Sequence, residues 1–199
     1  CDNERNMTVD EMRGYSKMLN QLAQSSFELL ENLLEWSRLQ REMIKIETET
    51  IIIYDLVRDA ISNYSDKVNM NNQLLRILVS ENLVAVVDKR IVGTIIRNLF
   101  SNAIKFTPQG GIITIQARLM PDKSLRISVA DTGIGIPANI LPEIFSFNED
   151  KGRPGLKGEK SSGLGLMLCK EFVELHNGKI WVQSKEFVGT TFTFKIPQD

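Results

Sequence analysis

The apolar period changes once along this chain, near residue 44, and that change limits what the chain can fold into. Before it, Leu19, Leu22, Ser26, Leu29, Leu33 and Trp36 recur at alternating spacings of three and four, as a coiled-coil seam does. A second row, Ala23, Phe27, Leu30 and Leu34, runs beside the seam. Two adjacent rows are wider than a dimeric coiled coil needs. They suit a helix buried in a four-helix bundle, about 45 Å long over residues 12–43 at 1.5 Å per residue. Its partners are not within the chain, so residues 1–43 and 44–199 are expected to form separate domains.

Past the change, residues 43–49 alternate like a strand, and Ile53, Leu56, Val57, Ala60, Ile61 and Tyr64 form a helical stripe ending near Asn69, Asn71 and Asn72. Residues 75–79 and 83–87 read as strands, 89–105 as a helix, and 111–119 and 125–131 as two more strands. Residues 164–175 form a helical pattern closed by Asn177 and Gly178, and 179–184 with 190–196 make a strand pair. Residues 138–162, rich in Gly, Pro, Lys and Glu, exceed an ordinary connection and are expected to be a mobile lid anchored by Phe145 and Phe147.

With 24 basic and 25 acidic residues the net charge is −1, which disfavours a nucleic-acid surface or a polybasic membrane anchor, so an anionic ligand must be held by local groups. Hydrophobic residues make up 42% of the chain, enough for a core. Cys1 and Cys169 are too few for a disulfide framework, and Cys169 reads as a buried free thiol. No apolar run is long enough to span a bilayer. A cytoplasmic fragment without membrane contact of its own, cut from a longer protein, is therefore expected.

Several groups could carry chemistry. In DTGIGIP, Asp131 precedes Gly133 and Gly135 at a strand end, a pattern that admits a flat or phosphorylated ligand but also describes an ordinary turn. SSGLGL, residues 161–166, leads into a helix whose first N–H groups and dipole can hold phosphate, or is simply a helix start capped by Ser161 or Ser162. Asn98, Asn102 and Lys105 fall on one line of a helix. They offer hard amide oxygens for Mg²⁺ and a cation for phosphate, or equally a solvated polar face. Thr190 and Thr191 can hydrogen-bond a base or serve strand packing alone. His176, the one histidine, sits at a helix end, where an imidazole satisfies terminal carbonyls.

Taken in order, these segments resemble the catalytic domain of sensor histidine kinases, within the larger group that includes gyrase, heat-shock chaperone and mismatch-repair ATPases. RNLFSNAIKFTP resembles the N box, DTGIGIP the first glycine box, EIFSF the F box, SSGLGL the second glycine box and VGTTFTF the third. The resemblance spans about residues 44–198. It implies an α/β fold of the Bergerat type, a two-layer sandwich of a mixed sheet and three helices, preceded by a long helix of a helical bundle.

The resemblance also implies ATP and Mg²⁺ as cofactors. Asp131 would receive the adenine amine, and Gly133 and Gly135 would shape the base pocket. Asn102 would hold Mg²⁺, Asn98 would position the metal or a water, and Lys105 would contact phosphates. Gly163 and Gly165, with Leu164 and Leu166 beside them, would cradle the phosphates, and Thr190, with Thr191 the less favoured choice, would lie on the adenine side.

Residues 1–43 resemble the second helix of the dimerisation and phosphotransfer hairpin, a homodimer unit in the parent protein. The first helix, which carries the phosphoacceptor histidine in this family, is missing, and HNGKIWV resembles a segment in which His176 is not an acceptor. The implied activity is transfer of the ATP γ-phosphoryl group to a histidine outside the chain, and thence to an aspartate of a response regulator receiver domain. Gyrase-like ATPases place glutamate where Asn98 stands, and an amide cannot serve as general base, so hydrolysis is disfavoured. A non-catalytic nucleotide-binding scaffold is the remaining alternative.

Overall fold

A computed structural model describes residues 8, 12–16, 19, 45–146, 156 and 164–198. Of the helix expected over residues 12–43, only 12–16 and 19 are described, and they are helical and exposed; the rest of that expectation lies outside the described residues. The elements that follow are β1 (Glu49–Ile52), α1 (Ile53–Ile61), α2 (Ser65–Met70), β2 (Leu74–Val79), β3 (Val84–Val87) and α3 (Lys89–Phe106). After them come β4 (Ile112–Leu119), β5 (Ser124–Asp131), α4 (Leu164–Leu175), β6 (Lys179–Lys185) and β7 (Gly189–Pro197).

Five strands form a mixed sheet in the order β2-β4-β5-β7-β6, with β2 parallel to β4 and every other pairing antiparallel. Side chains alternate across a strand, so register decides what each face presents. The inner face carries Ile113, Ile115, Leu125, Ile127, Val129, Phe192, Phe194 and Ile196, all buried. Against it pack the apolar stripes of α1, α3 and α4, including Leu56, Ile95, Leu99, Leu168 and Phe172. This is the expected two-layer α/β architecture.

Both ends of the helical layer are fixed by specific groups. Asp88 is buried and caps α3, its Oδ1 accepting from the N–H groups of Arg90 and Ile91 at 3.0 and 3.2 Å. His176 lies beneath it: Nε2 accepts the Asp88 N–H at 3.4 Å and Nδ1 lies 2.9 Å from the Phe172 carbonyl, which holds the ring in place from both sides. The imidazole is thus structural, as expected of a helix-end histidine. At the other end of α3, Gln73 Nε2 donates to the carbonyls of Ile104 and Thr107 at 3.0 and 2.7 Å. α4 ends with Asn177 in the left-handed region (φ 53°) and Gly178 donating to Val173, the paired bonds of a Schellman cap.

Three elements differ from the sequence reading. Of the strand expected over residues 43–49, residues 43 and 44 lie outside the described residues and 45–48 are not in a strand; the strand found is Glu49–Ile52, because β3 offers a ladder only to those four residues. Glu47 instead donates its N–H to Asp88 Oδ2 at 3.0 Å. The β1–β3 pair stands apart from the main sheet. The helical stripe ends at Ile61, tightens through Ser62–Tyr64, and resumes as α2, whose one buried residue is Val68.

Candidate functional site

The inner apolar row of the sheet ends in polar groups. Asp131 is the last residue of β5, Thr190 faces it from β7, and Ser184 faces Thr190 from β6. Asp131 Oδ1 accepts the N–H of Gly133 at 2.8 Å and that of Thr190 at 3.2 Å. Among the described residues, no hydrogen bond ends on Oδ2. Burial pushes the carboxyl up to about 6, and the two backbone donors only partly offset it. The result is a half-sheltered carboxylate, ionised at neutral pH, with one oxygen held and the other available to a donor.

The loop after Asp131 is pinned on both sides. The Ile134 N–H donates to the Phe106 carbonyl at the end of α3 (3.1 Å), and the Ile134 carbonyl accepts from Phe187 N–H at 2.8 Å. A Cβ on Gly133 would strike the Phe106 carbonyl, and one on Gly135, which has φ 68°, would strike the Lys185 carbonyl. Both glycines are therefore demanded by close backbone approach, and at Gly135 also by handedness.

Ser184 also belongs to this cluster. Its hydroxyl accepts from Ile136 N–H at 2.8 Å, lies 2.9 Å from Thr190 Oγ1, and can donate to the Gly189 carbonyl at 2.9 Å. It ties the glycine loop to the Thr190 strand. No local motif announces it, since a serine in an alternating strand looks like any outward polar residue; only the β6–β7 register gives it this place.

Asn98, Asn102 and Lys105 lie on one partly buried edge of α3. α4 crosses that edge at its first turn: a Cβ on Gly165 would sit 3.0 Å from Asn98 Oδ1. The Lys105 carbonyl accepts from Leu156 N–H at 3.3 Å, which brings one residue of the 138–162 stretch onto the same helix. Leu164 is buried and Leu166 packs against the core. Phe145 meets Phe192 edge-on at 6.1 Å between ring centroids. Gly163, Phe147 and the capping serines 161 and 162 lie outside the described residues. Thr191 sits on the opposite face from Thr190, paired with Ala130 and Gln183.

α3 thus joins two chemically different regions. Its C-terminal carbonyl holds the glycine loop beside Asp131, and two turns earlier Asn98 meets the first turn of α4. The model of the family described as histidine kinase-, DNA gyrase B- and HSP90-like ATPase matches residues 87–199. The chain belongs to this family.

Within the family the similarity runs to sensor histidine kinases. The sensor histidine kinase TmoS of Ectopseudomonas mendocina is 32% identical over 196 residues, 96% of this chain and 20% of TmoS. The sensor histidine kinase WalK of Bacillus subtilis is 32% identical over 172 residues, 85% of this chain and 28% of WalK. The chain therefore spans less than a third of either relative.

A structure of the catalytic domain of histidine kinase ThkA shares the fold with a TM-score of 0.65 at 29% identity, covering 76% of this chain and 96% of that domain. A structure of ThkA in complex with the response regulator TrrA shares the fold with a TM-score of 0.68 at 24% identity, over 100% of this chain and 53% of that one. The ATPase domain of this chain accordingly has the architecture of a histidine kinase catalytic domain. Among the described residues, no helix is long and apolar enough to cross a membrane.

Proposed function

We propose that the domain binds ATP with Mg²⁺ and that its parent protein transfers the γ-phosphoryl group to a histidine outside this chain. Asp131 Oδ2 accepts the adenine amine, Gly133 and Gly135 let the backbone reach the base, and Thr190 flanks it. Asn102 supplies a hard amide oxygen to Mg²⁺, Asn98 orients the metal or a water, and Lys105 faces the phosphates. Gly163 and Gly165, flanked by Leu164 and Leu166, present the N–H groups at the start of α4 to phosphate oxygens. When bound there, Mg²⁺ would supply positive charge to offset that developing on the transferring group.

The single observation that carries this reading is the span of α3. From Asn98 to Phe106 it runs about 12 Å at 1.5 Å per residue, the scale of an extended nucleoside triphosphate, with the carboxylate side at one end and Gly165 at the other. In the transfer, a histidine nitrogen bonds to Pγ while the bond from Pγ to the bridging oxygen breaks, and ADP leaves with that electron pair. Asn98, an amide where a base would be needed, disfavours attack by water and so disfavours a gyrase-like hydrolase.

Residues 1–43 are proposed as the second helix of a dimerisation and phosphotransfer hairpin, pairing in a homodimer of the parent. From the histidine, phosphate passes to an aspartate of a response regulator receiver domain; the related kinase ThkA has been solved with such a partner. The test supplies a separate polypeptide carrying the phosphoacceptor helix, with labelled ATP and Mg²⁺. Acid-labile label on its histidine is the expected outcome. Nucleotide binding without any transfer would leave a scaffold, and steady release of phosphate to water would return the hydrolase reading.

A further inference from the structure

The face of the sheet turned away from Asp131 carries a feature that nucleotide chemistry does not use. Register places Arg118 of β4 opposite Arg126 of β5, Arg126 opposite Lys195 of β7, and Lys195 opposite Lys179 of β6. Four cations thus stand in one row across four adjacent strands, about 14 Å long at the spacing of neighbouring strands. Like charges directly opposite one another destabilise a sheet. Of the four, only Lys195 has an acidic partner among the described residues, Asp122 at 3.4 Å; Arg118, Arg126 and Lys179 form no ion pair there.

At one end of the row lies an open cleft of about 340 Å³ whose lining includes Arg118, Arg126, Ser128, Trp181, Gln183 and Thr193. The Arg126 guanidinium lies over the Trp181 ring, 5.7 Å from its centroid, and its Nε is buried with no acceptor. A buried donor without an acceptor is costly in any fold. Two guanidinium side chains thus line a concave space together with hydroxyl- and amide-bearing residues and a flat aromatic.

We propose that this cleft is a binding site for a small polyanion carrying at least two carboxylate or phosphate groups, separate from the nucleotide site on the other face of the sheet. The forks take oxyanions bidentately, which matches carboxylate and phosphate geometry. Ser128, Thr193 and Gln183 supply neutral hydrogen bonds, and Trp181 covers an apolar or planar portion of the ligand. The volume suits a compact metabolite. A charged partner on this face removes the repulsion along the row, so occupancy also stiffens the sheet whose inner row ends in Asp131.

The test uses the full chain with Trp36→Phe, which leaves Trp181 as the one indole reporter, and titrates citrate at constant ionic strength. A saturable change in Trp181 emission is expected, weakened at least tenfold in the Arg118→Gln/Arg126→Gln double variant. The double variant should also melt at a higher temperature than the parent when no anion is present, which shows that it folds. ADP added without metal should leave the citrate response unchanged. A response that is absent, that does not saturate, that survives in the double variant, or that ADP displaces would overturn the proposal.

Discussion

Thr190 donates its backbone N–H to Asp131 Oδ1 at 3.2 Å, and the two residues are register partners across β5 and β7, so the strand pairing itself holds one oxygen of the carboxylate. The carboxyl is raised from 3.8 to about 6, chiefly by burial. A group whose folded value lies above its unfolded one binds more protons in the folded state, so stability falls as pH rises from about 4 to 6. At about 1.4 kcal/mol for each tenfold change, the ionised Asp131 costs about 3 kcal/mol at neutral pH. Asp131→Asn keeps an oxygen for the Gly133 and Thr190 donors. It should therefore stabilise the nucleotide-free domain at pH 7, by up to roughly that amount, while the gain disappears near pH 4. Denaturant midpoints at the two pH values check this; a loss of stability at pH 7 would contradict it.

On the role proposed for Asp131, the same carboxyl sets a pH limit on nucleotide binding. With Oδ1 engaged by two donors, the proton taken up below pH 6 goes to Oδ2, the oxygen proposed to accept the adenine amine, and turns an acceptor into a donor. ADP affinity should therefore be level above pH 7 and fall about tenfold per pH step below 6, apart from the nucleotide's own titration. Asp131→Asn presents an amide N–H there at every pH. It should bind ADP at least a hundredfold more weakly, and the part of the pH profile due to the carboxyl should vanish. Calorimetric titration of both proteins from pH 5 to 8 gives the comparison.

What the sequence displayed and what it hid follow from range. α3 could be read within a residue because Asp88 supplies a cap and Ile91, Ile95, Leu99 and Phe100 supply the period, all within the helix. β5 and β7 alternate cleanly because one face is apolar and the other mostly polar. α2 escaped notice since a helix with one buried side chain, Val68, has no period to show. β1 lies later than its alternation predicts because Ile51, Ile52 and Ile53 form a run that fits helix and strand alike, and only its pairing with β3, more than thirty residues on, decides. The outer cation row was invisible for the same reason: Arg118, Arg126, Lys179 and Lys195 look scattered until register aligns them. Asn98, Asp131 and Gly165 were recognised as motif members, but their mutual placement is a tertiary fact.

Ser184 offers a prediction that no motif suggests. Its hydroxyl accepts from Ile136 N–H and lies between the Gly189 carbonyl and Thr190 Oγ1, so Ser184→Ala leaves a sheltered N–H without an acceptor. The expected loss is about 1–3 kcal/mol of stability. Because the freed segment contains Gly135, ADP binding should weaken several-fold as well. Ser184→Thr keeps the hydroxyl and should recover most of both. Equal defects in the two variants would assign the effect to packing rather than to the hydrogen bonds.

Gly165 tests whether the approach of α4 to α3 matters for chemistry rather than for folding. A Cβ there would lie 3.0 Å from Asn98 Oδ1, tight enough that the amide must give way by a few tenths of an ångström. Alanine is also the better helix former, by less at this second helical position than the about 1 kcal/mol of a helix interior, so the two effects of Gly165→Ala act in opposite directions on stability. The melting temperature should move little in either direction. Phosphoryl transfer to an added acceptor helix should fall at least tenfold, since the reacting groups tolerate little misplacement, while ADP, lacking the transferred group, should bind within a few-fold of the parent. Measured together, unchanged transfer would separate Asn98 from the reaction, whereas loss of ADP binding in equal measure would mean that the substitution disturbs the whole nucleotide pocket.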